Sequence, residues 1–156
     1  MRYLFAIVGL TALDQALKAW ARQALAEGAY VELIPNFIHL TYQENRGISF
    51  SLLANLPEAL RAPLLAGVSL AVILGLGLYC WRQRHSLPAV EAWGYSLILA
   101  GALGNLIDRA WRQSVTDYMF FHWYDQGFFV NNLADDLISV GFVLVLWAGL
   151  RGKEVA

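Results

Sequence analysis

Four long apolar runs, separated by polar stretches, set the pattern of this chain. Residues 63–81 continue for 19 positions without a charge, close to the roughly 20 apolar residues a helix needs to cross a hydrocarbon core about 30 Å thick. Residues 3–20 are mostly apolar but interrupted by Asp14 and Lys18, and residues 92–107 are uncharged for 16 positions before Asp108 and Arg109. Residues 137–150 are uncharged for only 14, a reach of about 21 Å at 1.5 Å per residue. The fourth helix therefore has to begin earlier, which draws Asp135 and Asp136 to the membrane boundary or slightly inside it. The pattern predicts four transmembrane helices. Arg2 ahead of an apolar run also suits the start of a cleavable signal peptide, but the helical pattern continues through Asp14 and Lys18 without a clear processing site.

Parity decides which segments share a side. Four crossings place both termini together with the loop near Arg82, Arg84 and His85. The other side receives the segments around 22–61 and 108–132. The terminal side carries five basic residues against two acidic ones, and the opposite side six against ten. The basic residues of the terminal side sit in short segments beside helix ends, where the positive-inside rule applies most strongly. The termini are expected inside. On the outer side, Val31-Glu32-Leu33 alternates, Pro35-Asn36 reads as a turn, and residues 37–43 are rich in aromatic and β-branched types. Asn45-Arg46-Gly47 has turn chemistry and residues 48–51 alternate again. A small sheet on the outer face is expected, followed over 52–60 by a short interfacial helix broken at Pro57.

Composition agrees with lipid as the solvent. The 156 residues are 58% apolar and 15% charged, against about 45–50% and about 25% in soluble domains, and the mean hydropathy is +0.48. One domain over residues 1–156 is expected. A net charge of −1 leaves no basic footprint for nucleic acid. The single Cys80 excludes a disulfide framework or a CxxC motif, and neither HExxH nor GxSxG is present. His39, His85 and His122 are scattered, without metal-ligand spacing.

Ionisable groups in membrane helices are costly, so they mark paired or functional sites. Asp14 and Lys18 leave helix 1, Asp108 and Arg109 leave helix 3, and Asp135 and Asp136 enter helix 4 on the same outer side. Asp117, Asn105, Asn131 and Asn132 fall nearby. Acids crowded in one poorly solvated layer cannot all ionise. One protonated and one ionised carboxyl can split an amide, the first polarising the carbonyl while the second takes a proton from water. Plainer roles exist for several of these residues. Asp14 and Lys18 are spaced i,i+4 for an ion pair, and Asp108 and Arg109 suit the end of helix 3. Asp135 and Asp136 suit the N-terminal dipole of helix 4, with Asn132 as its cap. Gly94, Gly101 and Gly104 suit packing notches, residues 120–124 an interfacial aromatic belt, and Asp125 a solvated turn.

Read in order, four polar stations resemble the lipoprotein signal peptidase (signal peptidase II) family of bacterial membrane aspartic proteases. They are Asp14-Gln15 with Lys18; Asn45-Arg46-Gly47-Ile48-Ser49-Phe50; Gly101-Ala102-Leu103-Gly104-Asn105-Leu106-Ile107-Asp108-Arg109 followed by Val115-Thr116-Asp117-Tyr118; and Asn132-Leu133-Ala134-Asp135. The resemblance covers nearly the whole chain. It implies a catalytic dyad of Asp117 and Asp135, an outer β-cradle, and support or substrate contact from Asp14, Lys18, Asn45, Gly47, Asn105, Asp108, Arg109, Asn132 and Ala134. It further implies diacylglyceryl-modified prolipoproteins as substrates, cut just before the lipidated cysteine, and inhibition by globomycin. Multi-pass residence in the bacterial cytoplasmic membrane follows, with membrane lipid as a partner, no metal or other cofactor, and the site near the outer face. Ile48 and Ser49 replace alanines usual in the family, Tyr118 replaces phenylalanine, Asn131 stands where an aromatic is common, and Asp136 where a small residue is common. The family spacing favours Asp135 over Asp136 as the catalytic acid, with Asp136 leaning outward near the positive end of helix 4. Asn45 is expected to reach an extended substrate. A proton relay of a small transporter is the competing reading of these acids, but relay groups are spread through the membrane depth, whereas these crowd at one face and helix 2 contributes none.

Overall fold

The computed structural model describes residues 1–25, 28–47 and 57–152. In chain order the elements are α1 (Arg2–Ala24), β1 (Val31–Ile34), β2 (Ile38–Asn45), α2 (Glu58–Arg82), α3 (Ala89–Arg112), β3 (Val115–Trp123), β4 (Gln126–Asn131) and α4 (Leu133–Gly152). All four helices are long and apolar enough to cross a membrane. α4 starts at Leu133, as the shortness of the uncharged run 137–150 requires, so Asp135 and Asp136 lie in its first turn. α3 continues past Asp108 and Arg109 to Arg112, and those two residues do not mark its end.

The helices are packed with their polar groups inward. On α1 the buried residues are Asp14, Lys18 and Ala21, a single stripe at i, i+4 and i+7, while Leu4, Phe5 and Val8 are exposed. None of the Pro63–Arg82 span of α2 is buried. Apolar surface on this scale belongs against lipid. The interior is held by close backbone approach and polar contacts, as expected where lipid supplies no hydrophobic drive between helices. α3 and α4 meet through glycines. A Cβ on Gly94 would meet Val145 and the Gly141 carbonyl, and one on Gly101 would meet the Ala134 carbonyl. The α1–α3 seam is pinned by Thr11 Oγ1 donating to Ala100 O at 3.1 Å and Gln15 Nε2 donating to Gly104 O at 2.9 Å.

Beside the helices lies one antiparallel sheet in the order β1-β2-β3-β4. Asn36, at a left-handed φ of 59°, turns β1 into β2, and Tyr124 (φ 50°) begins the turn from β3 into β4. Asp125 occupies that turn and is exposed. Ala21, Leu25 and Tyr118 form a buried cluster that docks the end of α1 on the sheet, flanked by Leu17, Leu40 and Met119.

Three sequence expectations change. The run 120–124 is not merely an interfacial belt: Phe120 to Trp123 complete β3, which pairs with both β2 and β4. Consecutive aromatics mask the period of two, because both faces of this strand carry apolar side chains. Pro57 directly precedes the first turn of α2, where its missing N–H costs nothing, so residues 58–60 belong to that long helix. His39 and His122 are not scattered, since cross-strand placement brings Nδ1 of the first to 3.3 Å from Nε2 of the second. The strand expected over 48–51 and most of the helix expected over 52–60 lie outside the described residues.

Candidate active site

α3 is capped just past Arg112 by Gln113, which adopts a left-handed φ of 61°. The chain then turns straight into β3, and Asp108 Oδ2 accepts the Thr116 N–H at 2.9 Å. That clamp fixes the next residue, Asp117, opposite Gln43 of β2. Both oxygens of Asp117 receive an amide donor: Asn132 Nδ2 at 2.5 Å on Oδ1 and Asn45 Nδ2 at 3.0 Å on Oδ2. Asn45 is itself oriented by its Oδ1, which accepts the Gly47 N–H at 2.9 Å. That small turn needs the φ of 81° that Gly47 supplies.

Asn132 has a second task. Its Oδ1 accepts the Asp135 N–H at 3.2 Å, capping α4. One side chain thus ties the strand carrying Asp117 to the helix carrying Asp135. The Asp135 carboxylate accepts Asn105 Nδ2 at 2.8 Å. The oxygen of the same amide accepts Lys18 Nζ at 2.8 Å, and Lys18 pairs with Asp14 at 2.9 Å and approaches Asp108 at 3.7 Å. Asp14 Oδ1 in turn accepts the Ala134 N–H at 3.0 Å. Asp14, Lys18, Asn45, Gly47, Asn105, Asp108, Asn132 and Ala134 therefore join Asp117 and Asp135 in one connected layer. Arg109 belongs to it by charge, within electrostatic range of Asp135, Asp117 and Asp108, and makes no hydrogen bond to a described residue.

Burial in this layer disfavours the anion of Asp117 and pushes its pKa from 3.8 up to about 6, the negative charge of Asp135 adding to the rise and the amides of Asn45 and Asn132 opposing it. The two carboxyls sense each other's charge across this layer. A cavity of about 440 Å³ opens beside Asp117, bounded by Asn45 and Arg46 on one side and Phe128 and Phe129 of β4 on the other. Among the described residues, no three His, Cys, Asp or Glu side chains are grouped as metal ligands.

Asp136 faces elsewhere. Its Oδ1 accepts Asn131 Nδ2 at 2.7 Å, and it lines a separate, mainly apolar cavity with Leu17, Trp20 and Leu40. It is half-buried there rather than leaning out to solvent. The Asn45 amide rests on Asp117. One participant, Arg22, escaped sequence reading. Arg22 donates to Thr116 Oγ1 at 2.8 Å and lies 3.7 Å from Asp108. The available signal was the position of Arg22 four residues beyond Lys18, on the polar stripe of α1.

The family model described as signal peptidase (SPase) II matches residues 6–151. A lipoprotein signal peptidase of Serratia marcescens is 40% identical over 154 residues, covering 97% of this chain and 86% of the relative. One from Bartonella tribocorum is 36% identical, covering 95% and 87%, and one from Brucella ovis 35%, covering 98% and 94%. A bacterial membrane enzyme solved by the in meso method at 2.3 Å resolution superposes with a TM-score of 0.83 at 25% identity, covering 97% of this chain and 89% of the solved one. A second, at 1.9 Å resolution, gives a TM-score of 0.82 at 25% identity.

Proposed function

Because the chain belongs to the signal peptidase II family, we propose that it is an aspartic endopeptidase that removes signal peptides from diacylglyceryl-modified prolipoproteins, cutting before the lipidated cysteine. The observation that carries this reading is the single side chain of Asn132, which caps the helix of Asp135 while donating to Asp117. It couples the two acids in one rigid unit. In the reaction, the ionised member of the pair takes a proton from a water molecule as that water attacks the scissile carbonyl. The protonated member hydrogen-bonds the carbonyl oxygen and stabilises the oxyanion. Collapse of the tetrahedral intermediate breaks the C–N bond, and a proton passes to the departing amine.

An extended peptide must satisfy its backbone N–H and C=O groups in this apolar layer. The cavity beside β2 and β4, with Asn45 at its wall, suits that need. Asn45 would exchange its bond to Asp117 for one to substrate, and globomycin is expected to bind in the same cavity. The density of basic residues beside the helix ends at Arg2, Arg82, Arg84 and Arg151 supports a cytoplasmic-membrane orientation with the termini inside and the acids toward the outer face.

The test is cleavage of a diacylglyceryl-modified prolipoprotein by purified Asp117→Asn and Asp135→Asn proteins. An amide neither accepts a proton from water nor donates as an acid, so each variant should lose essentially all activity while remaining folded. Retention of more than a few per cent of normal cleavage by either one overturns the dyad.

A further inference from the structure

At the end of the bundle remote from the acids, α1 and α2 each pack along α3 without packing appreciably on one another. Between them lies a cleft of about 620 Å³. Its floor and walls are apolar side chains and backbone at span depth, among them Ile7 of α1, Gly77 of α2 and Leu99 of α3. Its mouth carries Arg2 and Arg84, and among the described residues no acidic side chain lines it. Each guanidinium is steadied over an aromatic ring at the helix end, Arg2 at 4.8 Å from the Tyr3 centroid and Arg84 at 5.2 Å from that of Trp81. Arg2 gives one N–H to Tyr3 Oη and Arg84 one to the Trp81 carbonyl. A guanidinium has five donors, so each keeps most of its N–H edge for another acceptor. Neither forms an ion pair with a described residue.

We propose that this cleft is a binding site for one anionic phospholipid, with the headgroup phosphate between Arg2 and Arg84 and an acyl chain lying along α3. Three physical requirements converge there. A mainly apolar cleft at span depth, whose Ser96 hydroxyl already donates to the Ala92 carbonyl, favours hydrocarbon over water, which would find few polar partners. Two guanidiniums at the level of the headgroups offer bidentate donors to phosphate oxygens. Their net positive charge, with Glu91 of the first turn of α3 outside the described lining, selects a headgroup of net negative charge over a zwitterion. From Arg82, at the end of α2, down to Gly77 the helix descends about 7.5 Å, room for part of an acyl chain. The site is separate from the Asp117–Asp135 layer and does not depend on the chemistry proposed for it.

Cys80 lines this cleft and is the only cysteine of the chain, which makes it a built-in reporter. The delipidated full-length protein in detergent is treated with N-ethylmaleimide while phosphatidylglycerol or phosphatidylcholine of identical acyl chains is titrated in. Phosphatidylglycerol is expected to slow Cys80 alkylation at a concentration roughly 25-fold below that needed with phosphatidylcholine, about fivefold for each arginine. Inorganic phosphate, lacking the chains, should give no protection. In the Arg2→Gln/Arg84→Gln variant the two lipids should become equivalent, while Arg151→Gln, at the same end but outside the cleft, should behave like the parent. Equal protection of the parent protein by both lipids overturns the proposal, as does undiminished preference for phosphatidylglycerol in the double variant. Native mass spectrometry of the same samples reports retained lipid directly, so the comparison of lipids on the parent protein stands without any variant.

Discussion

Lys18 is the best single point at which to disturb the polar layer. Its ammonium is wholly buried and holds three partners: Asp14 at 2.9 Å, the Asn105 amide oxygen at 2.8 Å and, more loosely, Asp108 at 3.7 Å. Substituting Lys18→Met preserves approximate volume but leaves the Asp14 carboxylate with only the Ala134 N–H and Gln15 Nε2 as donors. Breaking a buried ion pair from one side costs about 3–5 kcal/mol, because the remaining charge stays desolvated. For a chain of this size that corresponds to a fall of roughly 6–20 °C in Tm. Neutralising the orphan should recover part of the loss, so Lys18→Met/Asp14→Asn should melt above Lys18→Met alone. Cleavage should fall as well, since the Asn105 amide loses the partner on its oxygen and is no longer held with its N–H₂ on Asp135. The assay is a double-mutant cycle of thermal unfolding in one detergent, with cleavage of a lipidated prolipoprotein measured on the same preparations. A Lys18→Met protein within about 1 kcal/mol of the parent, or a double variant no better than the single, would refute the charge-pairing argument.

Asp117 binds its proton more tightly when folded, at about 6 instead of 3.8. The folded state therefore holds more protons than the unfolded one between those values, and its contribution to stability falls as pH rises from about 3.8 to about 6. Parent protein should gain more on moving from pH 7 to pH 4 than Asp117→Asn does, as read by thermal unfolding; an identical pH dependence refutes the raised affinity. Asp136→Ser should retain most cleavage, because Asp136 bonds Asn131 and faces another cavity, whereas Asp135→Ser should retain almost none. The reverse pattern means that the register of the motif has been misassigned. Gly101→Ala should cost about 1–3 kcal/mol and impair cleavage, since the new methyl meets the Ala134 backbone. Gly75→Ala, whose Cβ meets nothing, should be neutral or slightly stabilising, and comparable melting of the two variants would show that the α3–α4 seam tolerates a methyl.

The helices were legible because lipid demands long apolar runs, and the acids within those runs stood out because burying a charge is expensive. Their pairing was less so. Asp14 and Lys18, one turn apart, form the ion pair that their spacing suggests. The bond from Asn45 to Asp117 spans 72 positions and depends on the register of β2 against β3, which no local pattern encodes. β3 and β4 were missed for a related reason. A strand apolar on both faces has no alternation to detect, and the β-branched start at Val115-Thr116 is short. Asp136 shows the limit of reasoning from helix geometry: its neighbour Asn131 lies outside α4, so its direction was set by the end of β4.

The bond between the Ala134 N–H and Asp14 joins positions 120 residues apart, which bears on how the protein is born. The chain leaves the ribosome amino end first, so its opening helix waits in the bilayer with a carboxylate whose partner has not yet been translated. The charged stripe on that helix finds its full set of contacts only when the closing helix has been threaded in beside it. Asp135 arrives in the same turn as Ala134, so under the proposed dyad hydrolytic competence waits on the packing of α4. Under that proposal, a chain cut short before residue 133 by premature termination lacks one of the two acids and is expected to cleave nothing.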